Sequence, residues 1–295
     1  GSLPAPITAE RIRQKVFAAL KAARKAKLES ESDILRFIEE ELPFSTSQTY
    51  GGNTSCVEVV PDHGHGEVFL LDAGSGLREF SDAYLAAGRA NTPATFHFFM
   101  THLHWDHIQG FPFFTPAYIP GNKIVVHGFH EALEDAFVNQ MKEPWFPVPW
   151  ETMKADIAFK VYPEGASLDF GSLHVRTIPQ HHPGRSYGYR FEYNGKAIVY
   201  STDSEHKDDA YQEDYRFVDF FREADVLIFD AQYTLHDATY NKADWGHSSN
   251  IMGVELASRA EAKHLVIFHH EPSNSDEDLD EFLYNTRTYS DIYYS

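Results

Sequence analysis

The sequence predicts an α+β fold, and three observations carry that prediction. Short apolar runs of four to eight residues recur along the chain, each closed by Gly, Pro, Asn or Asp, which is the pattern of strands between turns. Segments with helical spacing of apolar residues lie between some of these runs and at the N-terminal end. Metal-type residues, His and Asp, stand just after several of the apolar runs.

In chain order, residues 8–41 place Ile12, Val16, Phe17 and Leu20, then Ile34, Leu35 and Ile38, at helical spacing. They predict a pair of helices outside the core, an excursion of about 8–45 within one domain covering 1–295. Cys56–Val60 and Val68–Leu71 are two strands joined by the turn Pro61-Asp-His-Gly-His-Gly66. His63 and His65 in that turn have no carboxylate after them and read as exposed loop residues. Asp72-Ala-Gly-Ser-Gly76 ends the second strand and leads into a helix from about Leu77 to Ala87. Strands follow at Ala94–Met100 and Lys123–Phe129, then a helix near His130–Lys142. Glu143–Trp150, with three prolines and two tryptophans, reads as a rigid loop. Leu173–Pro179 is a further strand. Tyr187–Tyr193 and Ala197–Ser201 flank Asn194-Gly195, a dipeptide suited to a type I′ hairpin turn because both of its positions need positive φ. Val226–Asp230 reads as a buried strand, Ser249–Ala260 as a helix, Leu265–Phe268 as a last strand, and a helix follows near Asp276–Leu283.

The bulk figures bound the function. A chain of 295 residues buries roughly three quarters of its unfolded surface. Its 42% hydrophobic and 15% aromatic content belongs to a globular chain. No apolar run is long enough to span a membrane, and Gly1-Ser2-Leu3-Pro4 lacks the basic-then-apolar pattern of a leader. A single cysteine, Cys56, leaves no internal disulfide and fits a reducing, cytoplasmic compartment. The net charge of −19 disfavours long nucleic acid, which needs a basic surface, but leaves room for a small phosphate ester.

The densest chemistry is in Thr101-His-Leu-His-Trp-Asp-His107: three imidazoles and a carboxylate within six residues. Neutral imidazole and carboxylate ligate zinc, manganese or iron. In an extended segment, His102, His104 and Asp106 share one side while His107 points elsewhere, so a turn there presents two clusters to two neighbouring ions. His181 and His182, Asp203, Asp230, and His269 and His270 each follow an apolar run. Together they predict one face collecting ligands from several strand ends.

From about residue 51 onward this pattern resembles the metallo-β-lactamase superfamily, on Asp72, His102, His104, Asp106 and His107, and then a later His, Asp and His in order. Tyr50-Gly-Gly-Asn-Thr-Ser-Cys56, His182-Pro-Gly-Arg-Ser-Tyr-Gly-Tyr-Arg190 and Gly246-His-Ser248 are similar to its phosphodiesterase branch, which includes ribonuclease Z and small cyclic-phosphate diesterases. The resemblance implies a four-layer αββα sandwich with a two-metal site at one edge of the sheets. It implies that His102, His104 and His182 hold one divalent ion (Zn, Mn or Fe), that Asp106, His107 and His269 hold the other, and that Asp203 bridges them. His182 is preferred to His181, and His269 to His270, by their places relative to the Pro-Gly element and the strand end. Asp72 becomes an orienting residue.

A pair of ions with a bridging hydroxide, held also by Asp106, suits in-line attack on a phosphodiester. The resemblance makes His247 the general acid or phosphate contact, and Asp230 its orienting carboxylate. Thioesterases and lactonases, such as glyoxalase II, keep the bridging Asp and are the main alternative. Metallo-β-lactamases proper replace it, and Cys56 lies too far upstream to fill that position. No basic Gly-Pro-rich arm of the ribonuclease Z kind occurs between Gly121 and Gly171, which points to a small-molecule phosphodiester. Trp105, Phe111, Phe113, Phe114, Trp145 and Trp150 are aromatic side chains available to stack on a base. Relatives of this kind are often homodimers, and the 8–41 helices offer a contact.

Overall fold

The computed structural model describes residues 1–61 and 66–294 and divides the chain into two compact units. The first comprises Gly1–Leu3 and Thr54–His270 and contains both sheets. Its strands are β1 (Val57–Val59), β2 (Glu67–Leu71), β3 (Thr95–Phe99), β4 (Lys123–Gly128) and β5 (Asp156–Val161) in one sheet, in that spatial order. The other sheet has the order β11-β10-β9-β8-β7-β6, built from β6 (Leu168–Phe170), β7 (Leu173–Gln180), β8 (Ser186–Tyr193), β9 (Lys196–Ser201), β10 (Val226–Asp230) and β11 (Leu265–Phe268).

Alternation along the strands builds three core layers. Val68, Leu70, Phe96, Phe98, Ile124 and Val126 face outward onto the helices that follow β2 and β4. Phe69, Leu71 and Phe99, one residue out of phase, face the second sheet and meet Val175, Tyr189, Phe191 and Tyr200. On the far face of the second sheet Val199, Leu227 and Phe229 pack against helical Phe217, Phe221, Met252 and Leu256. Helix, sheet, sheet, helix is therefore the layer order.

In chain order the helices are α1 (Ala9–Ala23), α2 (Glu31–Arg36, continuing as a π-turn over Phe37–Glu41), α3 (Phe44–Ser47), α4 (Gly76–Ala86), α5 (Trp105–Ile108), α6 (Leu133–Asn139), α7 (Arg216–Phe221), α8 (Asn250–Arg259) and α9 (Asp276–Tyr294). α1, α2, α3 and α9 belong to the second unit, Pro4–Asn53 with Glu271 onward. There Lys15 Nζ lies 2.7 Å from Asp276 Oδ2, and Asp276 also accepts from the Tyr50 N–H and the Thr49 hydroxyl. The helices expected over 8–41 thus share a unit with a C-terminal helix longer than its sequence pattern shows.

The Asn194-Gly195 turn has positive φ at both positions, 47° and 72°, between antiparallel β8 and β9. β1 pairs antiparallel with β2 as the hairpin expectation requires. The expected turn itself, with His63 and His65, lies at residues 62–65, outside the described residues. Two strands escaped the sequence reading. β5 is an edge strand whose burial alternates only between half-buried and exposed, and β6 has three residues; neither is an apolar run. Among the described residues no helix is long and apolar enough to cross a membrane.

Candidate metal centre

β2, β3 and β4 run parallel, as do β9, β10 and β11, and β7 shares the direction of β9 through the two antiparallel pairings of β8. Each of these strands except β4 hands a polar residue to the site just beyond its C-terminal end: Asp72 after β2, the 102–107 segment after β3, His182 after β7, Asp203 after β9 and His269 after β11, while Asp230 closes β10. Asp72, Asp203 and His269 have φ of 57°, 51° and 58°. Left-handed backbone at a non-glycine residue costs of order 1 kcal/mol or more and is held by its surroundings. All three residues are buried at strand ends, where hydrogen bonds fix Asp72 and Asp203.

Two clusters of potential ligand atoms stand side by side, and a third group overlaps the second. The first joins His102, His104 and His182; the second joins Asp106, His107, Asp203 and His269; the overlapping group joins Asp203 and His269 to Asp230 and His247. Asp203 faces the first and the second cluster. Its Oδ1 lies 3.3 Å from His107 Nε2 and 3.5 Å from His269 Nε2. Its Oδ2 lies 3.8 Å from both His102 Nε2 and His182 Nε2. Asp106 Oδ2 lies 3.3 Å from His107 Nε2 and 3.5 Å from His269 Nε2. His104 turns Nδ1 to within 3.1 Å of His182 Nε2.

The outer hydrogen bonds set the tautomers. His107 Nδ1 donates to Asp72 Oδ2 at 2.8 Å. Asp72 also accepts from the Thr101 N–H, the Thr101 hydroxyl and the Tyr200 hydroxyl. Having donated its one proton there, the Thr101 oxygen accepts from His102 Nδ1 at 3.0 Å. His182 Nδ1 donates to the Gly246 carbonyl at 2.8 Å. Each ring is left presenting an Nε2 lone pair to the centre. The buried Nε2 atoms of His102, His107 and His269 have no hydrogen-bond partner, and such atoms are costly unless something binds them. The donor set fits divalent zinc, manganese or iron.

Charge agrees with this geometry. Burial, with His107 as neighbour, drives His102 well below its ordinary pKa, and burial lowers His104 and His182. These imidazoles are therefore neutral, as ligation requires. Burial opposes ionisation of Asp203, but His269 and His107 outweigh it and hold the carboxyl well below the usual range. Burial likewise opposes a charge on His107, while Asp203 and Asp72 draw positive charge to that spot, as a proton or as a metal ion.

His247 stands beside the clusters, its ring stacked 5.0 Å from that of His269 and edge-on at 5.1 Å to that of His182. Its Nδ1 donates to Asp230 Oδ2 at 2.8 Å. Burial alone would lower its pKa, but the Asp230 carboxylate raises it to about 9. Asp230 is itself held by the N–H groups of Ser204 and Gln232. His181 is exposed and donates nothing to the clusters; its carbonyl accepts from Glu205 N–H. His270 also stands outside both clusters.

Of the aromatic residues expected near a substrate, Phe111 and Phe114 are fully buried in the outer core of the first sheet, and Trp150 stacks on Phe111 at 5.9 Å. Their packing removes them as stacking surfaces, whereas Trp105, Phe113 and Trp145 remain exposed. Sequence reasoning missed Glu205. Its carboxylate accepts the N–H groups of Asp244 and Gly246 and so fixes the loop that carries His247. A lone Glu in a polar segment gives no signal of that role. Two hollows border this loop. One, of about 280 Å³, is lined by His247, Ser248 and Tyr211; the other, of about 440 Å³, by His182, Arg185 and Arg216.

Three comparisons bear on ancestry. Residues 68–270 match the family model described as beta-lactamase superfamily domain. Ribonuclease BN of Cronobacter sakazakii is 28% identical over 155 residues, which is 49% of this chain and 45% of that protein, so the chain spans less than half of this curated relative. Among solved structures, the metallo-beta-lactamase fold protein YhfI from Bacillus subtilis superposes with a TM-score of 0.59 at 16% identity, over 80% of this chain and 87% of that one. A diphosphatase from the PhnP family gives 0.56 at 20%, over 80% and 82%. Both likenesses are of fold. The family match runs from β2 to β11 and takes in every residue of the two clusters, and the chain belongs to the beta-lactamase superfamily of hydrolases.

Proposed function

We propose that this chain is a two-metal phosphodiesterase acting on a small, and in one form cyclic, nucleotide or related phosphodiester. The observation that carries the reading is Asp203, whose two oxygens face the two ligand clusters separately. His102, His104 and His182 would hold one divalent ion, and Asp106, His107 and His269 the other. Bound there, such ions supply Lewis acidity towards phosphoryl oxygens and acidify water.

The chain's own groups account for the rest. Asp72, Thr101 and the Gly246 carbonyl keep Nδ1 protons on His107, His102 and His182 and so aim the ε lone pairs inward. His247, kept protonated by Asp230, stands ready to give a proton to a leaving alkoxide, the step a phosphodiester needs most. After that transfer Asp230 holds the neutral ring in its tautomer. In the hollow beside His182, where Arg185 is paired with Glu164 and Lys207 with Asp244, Arg216 is the base that suits an anionic substituent. Support for phosphorus chemistry also comes from relatives named as a ribonuclease and a diphosphatase. The charge of −19 favours a small substrate over long nucleic acid.

The deciding experiment compares turnover of bis-p-nitrophenyl phosphate, 2′,3′- and 3′,5′-cyclic nucleotides, a thioester and a lactone, after metal analysis of the purified chain. Phosphodiester turnover is expected to dominate. Faster hydrolysis of the thioester or lactone would replace this reading with the thioesterase or lactonase one.

A further inference from the structure

β4 supplies neither cluster with a ligand, yet it carries a histidine just past its end, His130. His130 is half-buried in the loop after the strand. Its Nε2 lies 3.2 Å from the Gly184 carbonyl oxygen and 3.1 Å from that of Arg185. Carbonyl oxygens only accept, so Nε2 carries the proton and donates to both. The other ring nitrogen, Nδ1, is buried with no hydrogen-bond partner, so the ring is no relay and its polar contacts go to one turn. The ring stands edge-on to Tyr187 at 5.5 Å, and Tyr187 stacks on Phe129 at 4.4 Å.

That turn, residues 181–185 between β7 and β8, carries His182. Gly184 and Arg185 both have positive φ, 80° and 63°. Left-handed backbone at Arg185, which has a side chain, persists only where its surroundings hold it. Within the turn the Arg185 N–H donates to the His182 carbonyl at 2.9 Å. The Arg185 side chain pairs with Glu164, but both partners are largely exposed, and such pairs contribute little. His130 grips the backbone itself. The first cluster takes His102 and His104 from the segment after β3 and His182 from the other sheet. The Gly246 carbonyl fixes the rotation of the His182 ring, whereas His130 fixes the backbone two and three residues further on.

We propose that His130 is a positioning residue for His182: it anchors the 184–185 backbone to the sheet of β4 and so sets the reach of His182 towards the ion of the first cluster. The role rests on the two-metal reading of the site.

Cobalt(II) titration of the full chain, followed by visible absorption, reads the two sites separately, because the first offers three imidazoles and the second two imidazoles with carboxylates. His182→Ala identifies the first-site band as the one it loses. His130→Phe keeps a ring against Tyr187 and removes the donor. His130→Gln gives up the ring and keeps an N–H at similar reach. The position is half-buried in a loop, so both variants should keep the wild-type near-UV circular dichroism. In the Phe variant the first-site ion should bind about three- to tenfold more weakly, the effect of a lost hydrogen bond, with the second site unchanged. The Gln variant should bind both ions as wild type does. A purely structural role would lower the urea midpoint of the Phe variant and leave its cobalt affinities alone. If the wild-type chain binds no cobalt, the role of His130 and the two-metal reading fall together. If wild type binds two ions and the Phe variant holds both as tightly, or weakens the second band instead, only the role of His130 falls. Equal weakening by Phe and Gln overturns it too, since the donor is then not the cause.

Discussion

Gly246 serves two neighbours at once. Its carbonyl fixes the His182 tautomer, and its φ of 85° turns the chain towards His247. A Cβ there would meet His182 Nδ1 at 2.4 Å and Pro183 Cδ at 2.5 Å. Gly246→Ala is therefore expected to displace His182 and weaken metal binding by about 10- to 100-fold, the usual effect of losing an outer partner; chelator competition measures it. His247→Ala should lower kcat on a phosphodiester by about a hundredfold or more while metal analysis still finds two ions per chain. Unchanged turnover would remove the general-acid role. Asp203→Ala should instead lose metal, and full occupancy of both sites in that variant would refute bridging. The residue types of this site were legible in the sequence because His102, His104, Asp106 and His107 crowd six positions. The contributions of Glu205 and the Gly246 carbonyl were not, since a backbone acceptor and a solitary carboxylate have no pattern of their own.

Elements place these residues, and each rests on a local cause. α8 starts where the Ser249 hydroxyl accepts from Met252 N–H, and Ser249→Ala should cost about 1 kcal/mol in a urea titration. β3 and β4 carry the facing pair His97 and His127, whose Nδ1 and Nε2 lie 3.0 Å apart, stacked among Phe69 and Phe99. Burial lowers His97 to about 4 and His127 to about 3. Above pH 6.5 both are neutral in folded and unfolded chains alike, and pH has no leverage through them. Below 6.5 only the unfolded chain takes up protons, so stability falls as pH drops towards 4 and levels off once the folded rings titrate. His97→Phe/His127→Phe should flatten the fall of the urea midpoint between pH 6.5 and 4; an unchanged slope would assign acid sensitivity elsewhere. Strands with strict alternation or closing turns, such as β8 and β9 around Asn194-Gly195, could be read in advance. β5 could not, because an exposed edge strand buries too little to impose a pattern.

At the scale of the molecule, ions bound in the two clusters would tie the two sheets together. Tyr189 OH already donates to the Met100 carbonyl and Tyr187 N–H to that of Thr101, joining the second sheet to the segment after β3. Ligands that bind only the folded state stabilise it, by about 2.7 kcal/mol at a hundredfold excess over Kd. Chelation should thus lower Tm by about 5 °C or more for a unit of this size. A Tm indifferent to chelator would mean that the clusters hold no ion. Sequence alone determined the chemistry on offer: the donor types, their order along the chain and their position just past apolar strands, because ligand identity and strand periodicity are local properties. Only the tertiary structure decided that His182 and not His181 meets His104 across 78 residues, that the two oxygens of Asp203 part company between two clusters, and that the N-terminal helices share a unit with α9. These depend on backbone turns of a few tens of degrees and on contacts between distant segments, which no local pattern encodes.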